Sequence, residues 1–508
     1  MQNPLFDALL APHRGSDDPF IMRPDRNSLT YGEFFDAVTR TAGALKSRGL
    51  SPGDRLALQV GKSVEALHIY AACLMTGVIF LPLNTAYTAD EIAYFLSDAE
   101  PGLFICDPDR RSELSRVAGK TGTELLTLSQ NNTGSFADLV ADADPIEAAE
   151  PCSPNDIAAL LYTSGTTGRS KGAMLTQENL LSNAQVLVEE WRIAKQDRLL
   201  HALPIFHAHG LFVAVNTTLT TGASMIFLPA FQIDAVLDAL PDATTMMGIP
   251  TFYTRLLDDS RFNAALVRTM RLFVSGSAPL LADTHDRFAG RTGHRILERY
   301  GMTETGMNVS NPHDGERRAG TVGFPLPGVE LRITDPDTGR DVPDGEIGVI
   351  EVRGPNVFKG YWGMPEKTRE EIRENGFFIT GDLASRDLQG YVRIVGRNKD
   401  LIITGGYNVY PKEVEMVIDE VDWVRESAVV GVPHPDFGEG VIALVVPENG
   451  AAPNLQALRE RIAGGLAKFK QPKEIILIDE LPRNTMGKVQ KNVLRDDYAD
   501  LFMQKRAG

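Results

Sequence analysis

Cysteine is scarce in this chain, and the three that occur (Cys73, Cys106 and Cys152) lie far apart in the 508 residues. None belongs to a CxxC pair or has a neighbouring histidine, so the sequence excludes a disulfide framework and a cysteine-based zinc site. We expect the three thiols to be buried as small apolar side chains.

Long apolar runs and an excess of positive charge are also missing. No uncharged apolar stretch approaches the roughly 20 residues that cross a bilayer, and the opening MQNPLFDALLAPH lacks the basic and apolar regions of a targeting signal. The net charge of −16 disfavours nucleic acid or an anionic membrane as the partner. These absences predict a soluble, cytoplasmic protein that acts on small molecules.

What the sequence does contain is an alternation of helical and strand patterns. Thr30 and Glu33 form a capping box before a helical stretch that ends near Gly49. The short stretches RLALQV, VIFLPL and LFICD are typical of strands and alternate with further helical patterns. Helices between nearly all-apolar strands predict parallel strands with crossover helices, and therefore an α/β layered fold.

The pattern changes twice towards the C-terminus. From Val329 onwards, ELRITD, GEIGVIEVRG and YVRIVGR are separated by turn residues and predict a β-rich subdomain. After Arg397, a compact α+β pattern of about 110 residues indicates a separate domain. We therefore predict a large N-terminal domain over residues 1–397, a hinge at 398–400 and a small, mobile α+β domain over 401–508.

One glycine-rich stretch, LYTSGTTGRSKG over 161–172, suits an anion. Glycines let backbone N–H groups turn towards phosphate oxygens, hydroxyls add donors and Lys171 adds charge. It is not a Walker A loop, because the fifth residue after Gly165 is Ser170. On composition alone, a flexible surface loop is an equal alternative.

As an ordered string, this stretch resembles the phosphate loop of the adenylate-forming superfamily, which includes acyl-CoA synthetases, luciferases and peptide-synthetase adenylation domains. Six further stretches resemble motifs of the superfamily and follow in the family's order: PIFHAHG, VSGSAPL, ERYGMTETG, ITGDLA, VGRNKDLI and PRNTMGKVQK. The resemblance covers the chain from Thr163 to Lys488, and the α/β pattern before it fits the same fold.

The resemblance implies a site for ATP and AMP. Tyr300 would lie against adenine, while Asp382 and Arg397 would bind the ribose hydroxyls, as an acceptor and a donor. The implied nucleotide ligands are Thr163, Ser164, Gly165, Thr166, Thr167, Gly168, Lys171, Ser277, Ala278, Pro279, Glu298, Tyr300, Gly301, Met302, Asp382 and Arg397.

The same resemblance implies catalytic roles for Lys488, His207, Thr303 and Glu304. His207 would orient the acyl carboxylate, Thr303 would contact phosphate, and Glu304 with Thr163 would hold Mg²⁺. Attack of a carboxylate on the α-phosphorus brings two anions together, so Mg²⁺ and the Lys488 ammonium would offset their repulsion. Taken singly, each residue would be interpreted as a turn or surface residue, and only their ordered co-occurrence favours an enzyme.

The resemblance further implies that the C-terminal domain rotates after adenylation about a hinge at Lys399. Gly405, Gly406 and Tyr407 would then line the tunnel for the pantetheine arm of coenzyme A, because glycines allow a thiol arm close to the backbone. A plain hairpin turn is the alternative for the two glycines. Basic candidates for the CoA nucleotide are Arg169, Lys468, Lys470 and Lys473.

Two arginines bear on which acid is used. Arg255 lies in the region that floors the acyl pocket in the family, and Arg299 precedes Tyr300. A buried guanidinium requires an anion, so these residues, with His207 and Ser277 as polar lining, favour a substrate with a second carboxylate. The pattern resembles malonyl-CoA synthetases and implies malonate or methylmalonate. Alternatively, Arg255 faces outward and Arg299 pairs with Glu298.

Other activities remain open at this point: a ligase for a short or medium monocarboxylate, a carrier-protein-charging adenylation enzyme, a luciferase-like oxygenase and a non-enzymatic nucleotide-binding scaffold. The chain ends at Gly508 without an appended carrier domain, which favours free CoA. The PRNTMGK string also resembles acylated sites of bacterial acyl-CoA synthetases. We therefore expect a protein lysine acyltransferase, with a deacetylase opposing it, to act on Lys488 and remove its charge.

Overall fold

The computed structural model describes residues 2–22, 28–163, 170–336, 338–404, 407–484 and 487–504, with side chains to 502. The strands in these residues are β1 Pro19–Met22, β2 Ser28–Thr30, β3 Arg55–Gln59, β4 Ile79–Pro82, β5 Leu103–Cys106, β6 Glu124–Thr127, β7 Ile157–Thr163, β8 Lys171–Thr176, β9 Arg198–His201, β10 Ser224–Phe227, β11 Thr245–Gly248, β12 Leu272–Ser275, β13 Leu297–Met302, β14 Gly306–Ser310, β15 Phe324–Pro325, β16 Glu330–Thr334, β17 Gly348–Arg353, β18 Phe378–Arg386, β19 Val392–Arg397, β20 Ile402–Thr404, β21 Tyr407–Val409, β22 Val424–His434, β23 Gly438–Pro447 and β24 Glu474–Leu477.

The α-helices of the same residues are α1 Pro4–Leu9, α2 Tyr31–Ser47, α3 Val64–Thr76, α4 Ala89–Ala99, α5 Arg111–Thr121, α6 Ser135–Asp142, α7 Gln177–Glu190, α8 Asn216–Thr221, α9 Ile233–Ala239, α10 Pro250–Asp258, α11 Ala282–Thr292, α12 Pro365–Glu371, α13 Pro411–Asp419, α14 Leu455–Gly465, α15 Lys491–Asp497 and α16 Leu501–Gln504. A π-helix covers His209–Val215, and short 3-10 turns include Asn398–Asp400 and Lys468–Lys470.

The N-terminal part contains two mainly parallel sheets. One has the order β6-β5-β3-β4-β7-β8 and the other β15-β14-β13-β12-β11-β9-β10-β1-β2. The predicted α/β fold is confirmed, with β3 and α2 close to their expected positions and the Thr30–Glu33 capping box in place. Parallel strands of one sheet direct their carboxyl ends to one edge, so β9, β10 and β12 of the second sheet bring the loops that follow them to the same edge.

The β-rich subdomain and the C-terminal domain follow in chain order. The subdomain is the antiparallel sheet β16-β17-β18-β19, and the C-terminal domain contains the sheet β21-β20-β23-β22 with β24 on β23. The two main apolar clusters of the C-terminal domain include only residues from Ile402 onwards, separate from the large core. The boundary at 398–400 stays a prediction. Over the described ranges, no helix is long and apolar enough to cross a membrane.

Candidate active site

A carboxylate with two fixed neighbours lies where β13, β18 and β19 meet. The Tyr300 hydroxyl donates to Asp382 Oδ2 over 2.7 Å, and Arg397 Nε lies 3.1 Å from Asp382 Oδ1. Asp382 and Arg397 are direct partners in the β18–β19 register. Burial raises the pKa of the Tyr300 phenol, which therefore stays a neutral donor. The carboxylate is held in one orientation and keeps acceptor capacity for a diol such as ribose.

The loop after β12 carries the predicted adenine ligands. Ser277 adopts a left-handed conformation, with φ of 71°, which is uncommon for a residue with a side chain. Ala278 is half-buried and Pro279 is exposed. At the end of the loop, Leu280 N donates to Glu298 Oε1 over 3.1 Å. Burial raises the pKa of Glu298 to about 7, and Glu298 Oε2 has no hydrogen-bond partner in the described part of the chain.

The end of β13 turns tightly towards the predicted phosphate ligands. A side chain at Gly301 would place its Cβ 2.2 Å from the Gly306 carbonyl oxygen, so only glycine fits there. Met302 and Thr303 follow and are half-buried. Thr303 and Ala208 line one small cavity, which places the end of β13 beside the loop that carries His207.

A network of charged and hydroxyl groups surrounds Glu304. Its Oε1 accepts hydrogen bonds from Thr163 Oγ1 at 3.4 Å and from the Tyr361 hydroxyl at 3.2 Å. The same hydroxyl lies 2.6 Å from Glu371 Oε2, and Glu371 Oε1 pairs with Lys171 Nζ at 2.9 Å. Lys171 also lies 4.0 Å above the Tyr361 ring. Burial raises the pKa of Glu304, so this carboxylate gains from a nearby cation.

Sequence reasoning missed Tyr361 and Glu371. Glu371 lies within the charged stretch EKTREEIRE, which cannot be distinguished in the sequence from a solvated helix face. Lys171, predicted as a phosphate ligand, forms an ion pair with this carboxylate.

Some predicted residues lie outside the described part of the chain. They are Ser164, Gly165, Thr166, Thr167 and Gly168 of the phosphate loop, Arg169 beside it, and Gly405 and Gly406 of the predicted tunnel.

Two histidines and one arginine form the polar lining of the predicted acyl pocket. His207 is half-buried, but its Nε2 is hidden from solvent without a partner in the described residues, and burial lowers its pKa to about 4. His209 Nδ1 lies 3.2 Å from Ser277 Oγ. Arg299 is only 4% exposed, and its Nε and Nη2 have no partner among the described residues. Burial lowers the pKa of Arg299 to about 10, which still leaves it cationic at neutral pH.

The Arg299 guanidinium lies directly against the backbone of Gly276. A Cβ added at Gly276 would lie 2.3 Å from Arg299 Cζ and 2.5 Å from both Nε and Nη1. No carboxylate of the described residues pairs with this guanidinium, so the alternative in which Arg299 pairs with Glu298 is not observed. The two side chains lie on opposite faces of β13, as alternation requires.

The prediction that Arg255 contacts the substrate is wrong. Phe252, Tyr253 and Leu256 form the buried face of α10, and Arg255 projects from its exposed face. In this short helix with apolar residues on both sides of Arg255, the sequence did not define which face is buried. Of the two arginines, the structure brings only Arg299 to the site.

Lys488 reaches the same site from the C-terminal domain. Lys488 N donates to Asn484 Oδ1 over 3.0 Å, and a Cβ at Gly487 would lie 3.2 Å from Ile249 Cδ1 in the large domain. Burial lowers the pKa of Lys488 to about 8, with a smaller effect from Arg397. Gly487 and Lys488 therefore lie against the large domain, with the lysine close to Asp382 and Arg397.

The comparisons agree with this geometry. The family model for AMP-binding enzymes matches residues 11–362, and the model for their C-terminal domain matches residues 413–488. The chain belongs to the AMP-binding enzyme family. ATP-bound MatB from Rhodopseudomonas palustris is 54% identical, with a TM-score of 0.96 over 99% of this chain and 100% of that one.

Curated relatives act on different acids. A feruloyl-CoA synthase from Amycolatopsis sp is 36% identical over 97% of both chains. A malonate–CoA ligase from Arabidopsis thaliana is 32% identical over 97% of this chain and 88% of its own. The predicted superfamily is confirmed, and the protein is an AMP-forming acyl-CoA ligase. Overall identity does not decide which acid it uses.

In this conformation of the ligase, the predicted tunnel residue is turned to solvent. Tyr407 is exposed and stacks on Phe469 with ring centroids 4.7 Å apart. Lys399, the predicted hinge residue, lies exposed in the 3-10 turn Asn398–Asp400. A role in the tunnel requires another orientation of the C-terminal domain, so both roles stay predictions.

Proposed function

We propose that this ligase adenylates malonate, or methylmalonate, and transfers the acyl group to CoA to give the acyl-CoA, AMP and pyrophosphate. The observation that supports this most directly is the buried guanidinium of Arg299, whose Nε and Nη2 have no partner among the described residues and which lies close to His209. Burial of a cation without an anion is costly, and the cost is offset when a substrate carboxylate accepts a forked pair of hydrogen bonds. A monocarboxylate would leave Arg299 unpaired.

The nucleotide side of the reaction rests on groups that do not depend on the acid. Asp382 and Arg397 would bind ribose, and His207, neutral because of its low pKa, would direct the reacting carboxylate. A carboxylate oxygen of the acid then attacks the α-phosphorus of ATP, and the bond between the α-phosphorus and pyrophosphate breaks. The Lys488 ammonium would offset the negative charge of the reacting carboxylate and phosphate. In the second step the CoA thiol, after loss of its proton, attacks the acyl carbonyl and AMP leaves.

Mg²⁺ fits the groups around Glu304. The carboxylate is buried, and the side-chain donors within hydrogen-bond distance of it in the described residues, Thr163 and Tyr361, are neutral. No cluster of three or more potential metal ligands exists in the residues the structure describes, which suits a cation carried mainly by the triphosphate. Bound there, Mg²⁺ would neutralise phosphate charge.

For CoA, support comes from an exposed aromatic and basic surface of the C-terminal domain. Lys473 Nζ lies 3.8 Å above the ring of Phe437, and Phe469 stacks on Tyr407 beside Lys468. Aromatic faces and ammonium groups suit an adenine with phosphates. Lys470, also a candidate, pairs with Glu413 and is the weaker one. Rotation about Lys399 would bring this surface to the active site.

The test is carboxylate-dependent pyrophosphate release with Mg-ATP, followed by acyl-CoA formation. The panel is malonate, methylmalonate, sulfoacetate, acetate, hexanoate, 4-coumarate and ferulate. Malonate or methylmalonate should give the highest kcat/KM, and Arg299→Met should remove that preference while Arg255→Met, on the exposed helix face, should not. A preference for ferulate or another monoacid would refute the assigned substrate and leave the ligase activity standing.

A further inference from the structure

A half-buried lysine joins the two large sheets next to the loop that carries His207. Lys62 lies in the turn between β3 and α3, and its Nζ is 2.8 Å from His201 Nδ1 and 2.8 Å from the His201 carbonyl oxygen at the end of β9. Nζ also lies 4.3 Å from the centre of the Phe227 ring. No carboxylate of the described residues lies within ion-pair distance of it, and burial alone holds its pKa well below the usual value.

His201 connects this lysine to the π-helix. Its Nε2 lies 2.8 Å from the Gly210 carbonyl oxygen. A carbonyl only accepts, so Nε2 carries the proton, and burial foremost lowers the pKa of the imidazole well below 6.5. The neutral ring therefore has an unprotonated Nδ1 that accepts from Lys62. The result is one directed chain of hydrogen bonds from Lys62 through His201 to Gly210.

The hydrogen bond between the His201 ring and Gly210 spans the loop of residues 202–209. His201 immediately precedes the loop and Gly210 immediately follows it, so the imidazole closes the loop at its base. The loop carries His207 and His209, both placed in the acyl pocket above. It is tightly packed as well, because a Cβ at Gly210 would lie 2.0 Å from the Pro204 carbonyl oxygen.

We propose that Lys62 and His201 are positioning residues that hold this loop in the geometry needed to bind and orient the acyl carboxylate. The proposal rests on the proposed role of His207 and not on which acid is used. Reacting groups misplaced by about 1 Å can lose about a hundredfold in rate, so a loop that carries two pocket histidines needs a fixed base. Neither residue contacts the nucleotide groups described above, and therefore the affinity for ATP should not depend on them.

Substitutions at His201 can remove one of the two hydrogen bonds of its ring and keep the other. Asn at this position offers an oxygen near Nδ1, which keeps the bond from Lys62 and loses the bond to Gly210. Gln offers an amide N–H near Nε2, which keeps the bond to Gly210 and loses the acceptor for Lys62. Lys62→Met removes the donor and keeps the side-chain length. Lys195→Met, at an exposed lysine paired with Asp18, is the matched control.

Carboxylate-dependent pyrophosphate release should separate a positioning role from a merely structural one. We expect His201→Asn to lower kcat/KM for the acid by about tenfold or more, with KM for ATP within about twofold of wild type. His201→Gln should recover most of the loss, Lys62→Met should have an intermediate effect, and Lys195→Met should have none. The preference for malonate over acetate should stay unchanged, unlike in Arg299→Met, so this proposal and the substrate assignment can fail separately. The positioning role would be overturned if the variants changed kcat/KM for the acid and KM for ATP to the same extent. It would also be overturned if His201→Asn and His201→Gln lost the same activity, or if both kept wild-type kinetics.

Discussion

The contact between Gly276 and Arg299 allows a test of the proposed site for the second carboxylate. The test moves the Arg299 guanidinium without removing its positive charge. In Gly276→Ala, the new methyl would lie 2.3 Å from the Arg299 Cζ, whereas carbon contacts are ordinarily about 3.5 Å or longer. The guanidinium must therefore move by roughly 1 Å. The backbone at Gly276 does not adopt a positive φ, so alanine adds no backbone strain.

The expected cost follows from the loss of one well-aligned charged hydrogen bond. Such a bond contributes about 1.5–3 kcal/mol, which corresponds to about 10- to 150-fold in kcat/KM for malonate. KM for ATP and the slow reaction of acetate should change by less than about twofold, because neither uses the guanidinium. Overpacking should also lower the free energy of unfolding by about 1–3 kcal/mol, so thermal unfolding is measured in parallel.

Gly290→Ala is the matched control, because Gly290 lies in α11 with open space around its Cα and normal helical φ. It should leave the kinetics unchanged and stabilise the helix slightly. If Gly276→Ala folds and retains the wild-type preference for malonate over acetate, Arg299 does not bind the second carboxylate and the substrate assignment loses its basis.

Further predictions concern Glu371, Tyr361 and Lys488. Tyr361→Phe and Glu371→Gln should raise the Mg-ATP concentration needed for half-maximal adenylation by about tenfold. An unchanged Mg-ATP concentration would show that the network around Glu304 does not contribute to binding Mg-ATP. The pKa of Lys488 of about 8 predicts that kcat/KM for ATP falls as pH rises through about 8, because the ammonium loses its proton there; a profile of Lys488→Arg with the same alkaline limb would contradict this origin. Acetylation of Lys488 by a protein lysine acyltransferase should abolish adenylation but not CoA transfer from supplied acyl-AMP. Adenylation by the fully acetylated protein would refute the assignment of Lys488.

The cluster proposed to bind the nucleotide could be found from the sequence because its residues occur in ordered local motifs. Asp382, Arg397 and Tyr300 come from three such motifs, and the structure places them in contact. The local periodicity of apolar residues likewise predicted α2, α3 and β3, because the spacing of the apolar side chains within each element indicates which of them are buried.

Features that depend on packing between distant segments could not be predicted. The contacts Lys62–His201 and Lys171–Glu371 join residues 139 and 200 positions apart, and nothing in either local stretch indicates a partner. The prediction for Arg255 was wrong for a related reason. Apolar side chains precede and follow Arg255 in α10, so only the packing of the helix shows that Arg255 faces solvent.

In the proposed function, strand β13 separates the recognition of the acid from that of the nucleotide. Consecutive side chains of a strand point to opposite faces, so Tyr300 faces Asp382 on one side, while Arg299 faces Gly276 on the other. We therefore expect a substitution at Arg299 to change the proposed acyl pocket and to leave the contact between Tyr300 and Asp382 in place. Relatives about one-third identical to this chain are named for different acids, a feruloyl-CoA synthase and a malonate–CoA ligase. The specificity of this ligase should accordingly follow Arg299 and its backbone support at Gly276, not overall similarity.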